Sequence, residues 1–243
     1  MRDLTNKRAL VTGAGTRVGA AIARALGAEG MHVDIHYHRN REGAEASCEA
    51  VVRAGGAATP RQADLSDPDA TRELARAVLR DGDLDVLVPS AANFERVAFD
   101  AIAPSHLRHA FALNVEAPLA LAIECAPALR RTHGAVVFIT DAALDRPHRD
   151  YLPYLLSKAA VRQLMEVLVI ELSPAVRVNA VAPGTVLPPP GMHEETIARL
   201  VEHIPLGRLG RADDVAQAVV HLASSDLANG HELVVDGGHR IGR

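Results

Sequence analysis

Ala9-Leu-Val-Thr-Gly-Ala-Gly-Thr-Arg-Val-Gly19 is the stretch on which the fold turns. Its first residues form a short apolar strand and its glycines a tight turn. Residues 18–29 carry a helical pattern closed by Gly30. Small residues at a strand-to-helix turn let the backbone approach a pyrophosphate, while the helix N-terminus supplies amide hydrogens and a positive dipole. Glycine alone is weak evidence, because many such turns carry it for steric reasons. Its place between a first strand and a first helix makes this turn a candidate dinucleotide site.

The alternation continues outward from that unit. Residues 32–37, 59–63, 84–88, 135–140, 176–181 and 232–236 read as strands. Helical patterns lie near 42–54, 105–131, 153–172, 194–203 and 213–223, and Ser66-Asp-Pro-Asp69 caps one more with proline in its first turn. About seven strands separated by helices predict an α/β fold, a doubly wound parallel sheet. We expect a single Rossmann-like domain over residues 1–243. Leu187-Pro-Pro-Pro-Gly191 interrupts the pattern late and reads as a substrate flap within 185–204.

Composition narrows the class. A hydrophobic share of 48% in 243 residues fills a sizeable core, and with 3% aromatics and no tryptophan that core is aliphatic. Net charge is −4 without long runs of one sign, so neither nucleic acid nor a membrane surface is an expected partner. No run of eighteen apolar residues suggests a membrane span, and no long apolar run precedes the first strand as in a signal peptide. Two cysteines, Cys48 and Cys125, fit a reducing, cytoplasmic setting. The histidines at 32, 36, 38, 106 and 109 lack the acids or cysteines that would complete a metal set, so no metal is expected.

Three residues point to chemistry. Tyr154 and Lys158 stand one helical turn apart in Tyr-Leu-Leu-Ser-Lys and share a face. An ammonium beside a phenol favours the phenolate and brings the tyrosine toward proton exchange near neutral pH. Asp141 ends the apolar run 135–140, where a parallel strand delivers a side chain to the site of an open sheet. Tyr151, seven residues before the lysine, reads as structural. Arg17 sits inside the glycine turn, on a helix N-terminus that disfavours a cation unless an anion is near. The second strand ends in His36-Tyr-His-Arg39, with no acid to bind ribose hydroxyls; Asp34 falls too early and reads as structural. NADPH is therefore expected over NADH, with Arg17, His38 and Arg39 around its 2′-phosphate.

These motifs together resemble the short-chain dehydrogenase/reductases along the whole chain. The matching parts are the turn 12–19, Asp64-Leu65, Asn114, Tyr154-x-x-x-Lys158, Pro183-Gly184, the segment from Ile204 to Val215 and the ending Leu233-Val-Val-Asp-Gly-Gly238. Within that family the chain is most similar to the pteridine reductases, through Arg17, His36–Arg39, Asp141 in the usual serine position and Phe94 after the fourth strand. Pro89-Ser-Ala-Ala92 departs from the family's Asn-Asn-Ala-Gly.

The resemblance implies a catalytic set of Asp141, Tyr154, Lys158 and Asn114, with Asn114 kinking or hydrating its helix. It implies cofactor contacts from Gly13, Arg17, Val18, Gly19, Tyr37, His38, Arg39, Asp64, Leu65, Ala91, Thr140, Tyr154, Lys158, Pro183 and Gly184. Substrate contacts would come from Arg17, Phe94, Asp141 and Tyr154. An ionised carboxylate only accepts hydrogen bonds, so Asp141 suits a substrate edge rich in N–H groups. The expected activity is NADPH-dependent reduction of a pteridine or folate. Reduction of a carbonyl in an oxoacyl thioester, sugar or steroid is the alternative, and a non-catalytic dinucleotide sensor a remote third. A homotetramer is a further implication; a C-terminal arginine can reach a neighbouring subunit's site in pteridine reductases, while Arg243 itself reads first as an ordinary frayed terminus.

Overall fold

The computed structural model describes residues 1–187 and 193–242. Seven strands form one sheet: β1 (Arg8–Val11), β2 (His32–Tyr37), β3 (Ala57–Gln62), β4 (Val86–Val88), β5 (Ala135–Ile139), β6 (Arg177–Pro183) and β7 (Glu232–Val235). Their order is β3-β2-β1-β4-β5-β6-β7, and every pairing is parallel. The single α/β domain expected from the alternation is present. Strand order reverses between β1 and β4, and a doubly wound sheet opens its ligand crevice at that switch point.

Alternate strand residues feed two cores, as the two-residue period requires. On one face Val11, Ile35, Val137 and Val181 meet α1 (Arg17–Ala28), α2 (Arg41–Arg53) and α8 (Ala212–Ser224). On the other, Leu10, Leu87, Phe138 and Val178 meet α3 (Pro68–Arg80), α5 (Ala117–Thr132) and α6 (Leu152–Leu172). Burial of β1, β4, β5 and β6 on both faces accounts for the unbroken apolar runs of β4 and β5 and for the largely apolar β1 and β6. Asp67 caps α3 as expected, accepting from the amides of Asp69 and Ala70, with Pro68 in the first turn.

The helix expected over 105–131 is broken in two. α4 (Pro104–Phe111) passes through a π-turn at Ala112–Glu116 before α5 begins. Pro118 explains the wide turn: it has no N–H for the carbonyl four residues back, that of Asn114, and its ring pushes that carbonyl away. By length and hydropathy alone Pro104–Thr132 could cross a membrane, but half of its most apolar window is buried within the domain. A core helix of a globular protein passes the same test. Between β6 and α8 lies α7 (Glu194–Glu202). The proline-rich heart of the expected flap, 188–192, and Arg243 lie outside the described residues.

Asp34 is structural, as its place inside β2 suggested. It is fully buried and accepts from Arg8 Nε at 2.9 Å and Arg61 Nε at 2.7 Å, tying β1, β2 and β3 together. Removing the carboxylate leaves the buried Arg8 and the partly buried Arg61 with only the exposed Asp81 as counter-ion. We expect Asp34→Ala to lower unfolding free energy by about 3–5 kcal/mol, measured by urea denaturation, while the ratio of NADPH to NADH affinity stays unchanged. A shifted cofactor ratio would refute the structural role.

Candidate active site

The glycine turn is held from behind by side chains that bond to neighbouring backbone. His36, at the end of β2, accepts from the Gly13 amide at 3.1 Å through Nδ1 and donates to the Ala63 carbonyl at 3.2 Å through Nε2. Both bonds require a neutral ring, and burial pushes its pKa down to about 4. Thr12 Oγ1 accepts from the amides of Ser90 and Ala91, fixing the loop after β4 to the loop after β1. Gly13 has φ +65°, and a Cβ there would stand 2.9 Å from Ala91 Cα. At Gly19 a Cβ would meet the Gly13 carbonyl at 2.4 Å. Both glycines are thus required by the close approach of turn, helix and neighbouring strand.

In front of the turn lies a cavity of about 700 Å³, bordered by Gly13, residues 15–19, residues 36–40, residues 64–66, residues 90–92, His109 and Leu113. Thr16 gives α1 no side-chain cap, so the first-turn amides at the cavity wall have only backbone and ligand to satisfy them. Bare amides, a helix dipole and close-packed glycines fit the pyrophosphate of a dinucleotide. Tyr37, His38, Arg39, Asp64, Leu65 and Ala91 border this cavity as the sequence predicts. Asp64 spends its carboxylate on the Ser66 hydroxyl and amide, which hold it below the usual carboxylate range, and stands 3.5 Å from His38 Nε2. His109 and Leu113 were missed; they reach the cavity from α4 and the π-turn, and only their four-residue spacing from each other could have flagged them.

A second cavity of about 680 Å³ adjoins the first, sharing Arg17, Val18, Ser90 and Ala92. Its wall includes Asp141, Tyr154, Lys158, Phe94, Pro183 and Gly184. Asp141 follows β5 in extended backbone, accepting from the Ala143 amide at 2.8 Å through one oxygen. Its other oxygen accepts from the Tyr154 hydroxyl at 2.6 Å. Lys158 Nζ donates to the Ile139 carbonyl at 2.7 Å and lies 5.8 Å from the Tyr154 ring centre. Burial brings Lys158 down to about 8, against the opposing pull of Asp141.

Two expectations, for Tyr154 and Tyr151, need correction, and two more residues are placed in detail. The lysine was expected to draw the tyrosine toward phenolate; instead burial, then the charge of Asp141 and its hydrogen bond, push Tyr154 well above its ordinary value. The phenol keeps its proton and points it at the acid. Thr140, expected at the cofactor, borders the second cavity, and its hydroxyl donates to Glu232 at 2.6 Å and to the Val181 carbonyl. Arg17, expected near His38 and Arg39 and near the substrate, borders both cavities, and its guanidinium donates to the Leu187 carbonyl at 2.7 Å. Tyr151 was set aside as structural, yet it borders the second cavity and stacks on Phe94, ring centres 4.4 Å apart. The three-residue step from Tyr151 to Tyr154 was the signal that placed both on one side.

Asn114 borders neither cavity. From its π-turn it accepts from the Asn93 amide at 3.0 Å and donates to Ser157 Oγ at 2.8 Å; Ser157 donates in turn to the Tyr154 carbonyl. It positions the loop after β4 against α6. Phe94 presents its edge to Tyr154 with ring centres 4.8 Å apart and forms the half-exposed rim of the second cavity.

A doubly wound sheet with a dinucleotide cradle at its switch point and a Tyr–Lys pair beside it defines an oxidoreductase of the nicotinamide-dependent class. Residues 13–240 match the family described as enoyl-(acyl carrier protein) reductase. The chain belongs to this family of short-chain dehydrogenase/reductases. It is 37% identical to an uncharacterised oxidoreductase of Methylorubrum extorquens, over 99% of this chain and all of that one. It is 32% identical to 3beta-hydroxysteroid dehydrogenase 1 of Eggerthella lenta, over 97% of this chain and 94% of that one. A solved structure from Sinorhizobium meliloti, described as a short-chain alcohol dehydrogenase, superposes with TM-score 0.93 at 27% identity, covering 99% of both chains.

His36 yields a pH prediction. An unfolded histidine near 6.5 takes up a proton that the folded ring refuses until about 4. Its contribution is therefore complete above the unfolded value and lost as pH falls from there, by on the order of 3 kcal/mol in total. His36→Gln keeps an acceptor and a donor but does not titrate. Urea midpoints from pH 7.5 down to 4.5 should fall more steeply for the native protein than for the variant; parallel curves would refute the assignment.

Proposed function

We propose that the chain is an NADPH-dependent reductase of a pteridine or folate, acting on a C=N bond. The observation that carries this reading is the 2.6 Å hydrogen bond from Tyr154 to Asp141. A nicotinamide dinucleotide bound along the glycine turn supplies the hydride for the ring carbon. The ring nitrogen takes the accompanying proton from the Asp141–Tyr154 pair, whose phenol is held protonated. Asp141 has lone pairs left beyond its bonds to Tyr154 and the Ala143 amide, and these accept N–H groups of a heterocycle. Phe94 and Tyr151 offer stacked aromatic faces to a flat ring at the cavity rim.

The cofactor preference is supported by the end of β2. Asp34 is buried with Arg8 and Arg61, so no carboxylate of that strand faces the cavity, while His38 and Arg39 do. Assembly as a homotetramer is supported by exposed Leu152, Leu156, Val167 and Ile170 on α6 and Ile123 on α5. The free cysteines agree with a cytoplasmic setting.

Reduction of a ketone is a second reading. A granaticin ketoacyl reductase of Streptomyces violaceoruber is 35% identical over 96% of each chain, and the Eggerthella relative is named for a hydroxysteroid. In that case Tyr154 protonates the carbonyl oxygen and Asp141 serves as a cap.

Two measurements separate these readings. The protein should oxidise NADPH with dihydrobiopterin, and Asp141→Ser should lower that kcat by about a hundredfold or more while leaving or raising turnover of ketones. Ketone turnover without pterin turnover in the native protein overturns the proposal. Arg39→Ala should raise the Kd for NADPH about ten- to a hundredfold, as loss of a charge-assisted phosphate contact predicts, with NADH unaffected; equal weakening of both would remove Arg39 from the 2′-phosphate.

A further inference from the structure

The substrate cavity carries a charge asymmetry that the hydride chemistry does not use. Its far wall comes from three separate pieces of chain: the loop after β5 gives Arg146 and His148, the end of α7 gives His203, and the C-terminal segment gives His239 and Arg240. Among the described residues the only carboxylate on the cavity wall is Asp141, which is engaged with Tyr154. Arg146 donates to the carbonyls of His239 and Gly242, joining the two segments, and has no ion-pair partner among the described residues. His239 is drawn below its ordinary value by burial and then by Arg146, with His203 and His148 adding to the effect, so these groups share one field.

The nearby acids are spent elsewhere. Asp236 accepts from the amides of Gly238 and Arg240. Asp145 is shared between Arg162 and Arg240 and lies outside the cavity wall. His148 packs edge-on to Tyr151, which stacks on Phe94. The basic wall therefore begins where the aromatic rim ends, beyond the reacting pair.

We propose that the substrate carries an anionic group, a carboxylate or a phosphate, on the part remote from the reacting bond, and that Arg146 and Arg240 bind it. This rests on reading the second cavity as the substrate site. Arg146 supplies the fixed fork, because its two carbonyl bonds occupy one terminal nitrogen and leave the other for a ligand. Arg240, at the exposed edge, reaches the same group when released from Asp145, 3.3 Å away.

The test compares pairs matched at the reacting bond. Dihydrobiopterin is neutral in its side chain, dihydrofolate ends in carboxylates and dihydroneopterin phosphate ends in a phosphate. A second pair, the acetoacetyl thioesters of N-acetylcysteamine and of coenzyme A, applies the same contrast to a ketone. In whichever set the enzyme turns over, the anionic member should have a KM lower by about tenfold or more, with kcat within twofold. Arg146→Gln and Arg240→Gln should each raise only the anionic KM, and Arg146→Lys should restore much of the difference. The better of the carboxylate and phosphate members identifies the source of the charge. Equal KM for neutral and anionic members, or variants that raise both alike, would overturn the proposal. Activity confined to the thioester pair would reject the pteridine reading while still reporting on the anion.

Discussion

A buried ammonium organises the reactive half of this molecule. Lys158 is almost wholly removed from water, yet its charge is tolerated because the Ile139 carbonyl accepts from it and Asp141 lies close by. That bond ties α6 to the end of β5. It fixes the rotation of α6, and with it Tyr154 one turn earlier, so that the phenol meets the carboxylate that β5 delivers two residues after Ile139. An ion left without these partners would cost several kcal/mol. The helix, the strand end and the proton-holding pair therefore stand or fall together.

The nucleotide half follows a complementary rule: side chains are spent on protein so that backbone remains for the ligand. Thr12 satisfies the amides of Ser90 and Ala91. This explains how Pro89-Ser-Ala-Ala92 keeps its place without the asparagines usual there, since the loop is held by its backbone rather than by its own side chains. His36 does the same for Gly13. In both places a polar side chain near the end of one strand secures the backbone that follows a neighbouring strand.

The fold was legible because a parallel sheet buried on both faces writes itself as apolar runs separated by helical periods. The glycine turn, the Tyr–Lys step and Asp141 were legible because each depends on spacing along one segment. What escaped depends on where side chains turn. Thr140 adjoins Asp141, but its hydroxyl finds Glu232, ninety-two residues away. Tyr151 looked redundant beside Tyr154 until Phe94, from another loop, stacked on it. The proton affinity of Tyr154 was misjudged because burial raises it and the charge in hydrogen-bond contact is a carboxylate, while the lysine one turn away donates to a carbonyl. The break in the helix before α5 was visible as Pro118, whose effect falls four residues back, on Asn114.

Replacing a hydroxyl by an acid at the end of β5 changes what an incoming group must compete with. A serine there could offer its own proton and leave the phenol's free. Asp141 has none to offer and takes the phenol's as a hydrogen-bond partner. A carbonyl substrate must then draw the Tyr154 proton away from a charge-assisted bond, which has a net worth of about 1.5–3 kcal/mol. A heterocycle bearing N–H groups brings its own donors to the carboxylate's remaining lone pairs, and so offsets that cost as it binds. On the reading proposed above, the carboxylate that slows an oxo compound favours a nitrogenous ring, and the discrimination arises from one proton's choice of acceptor.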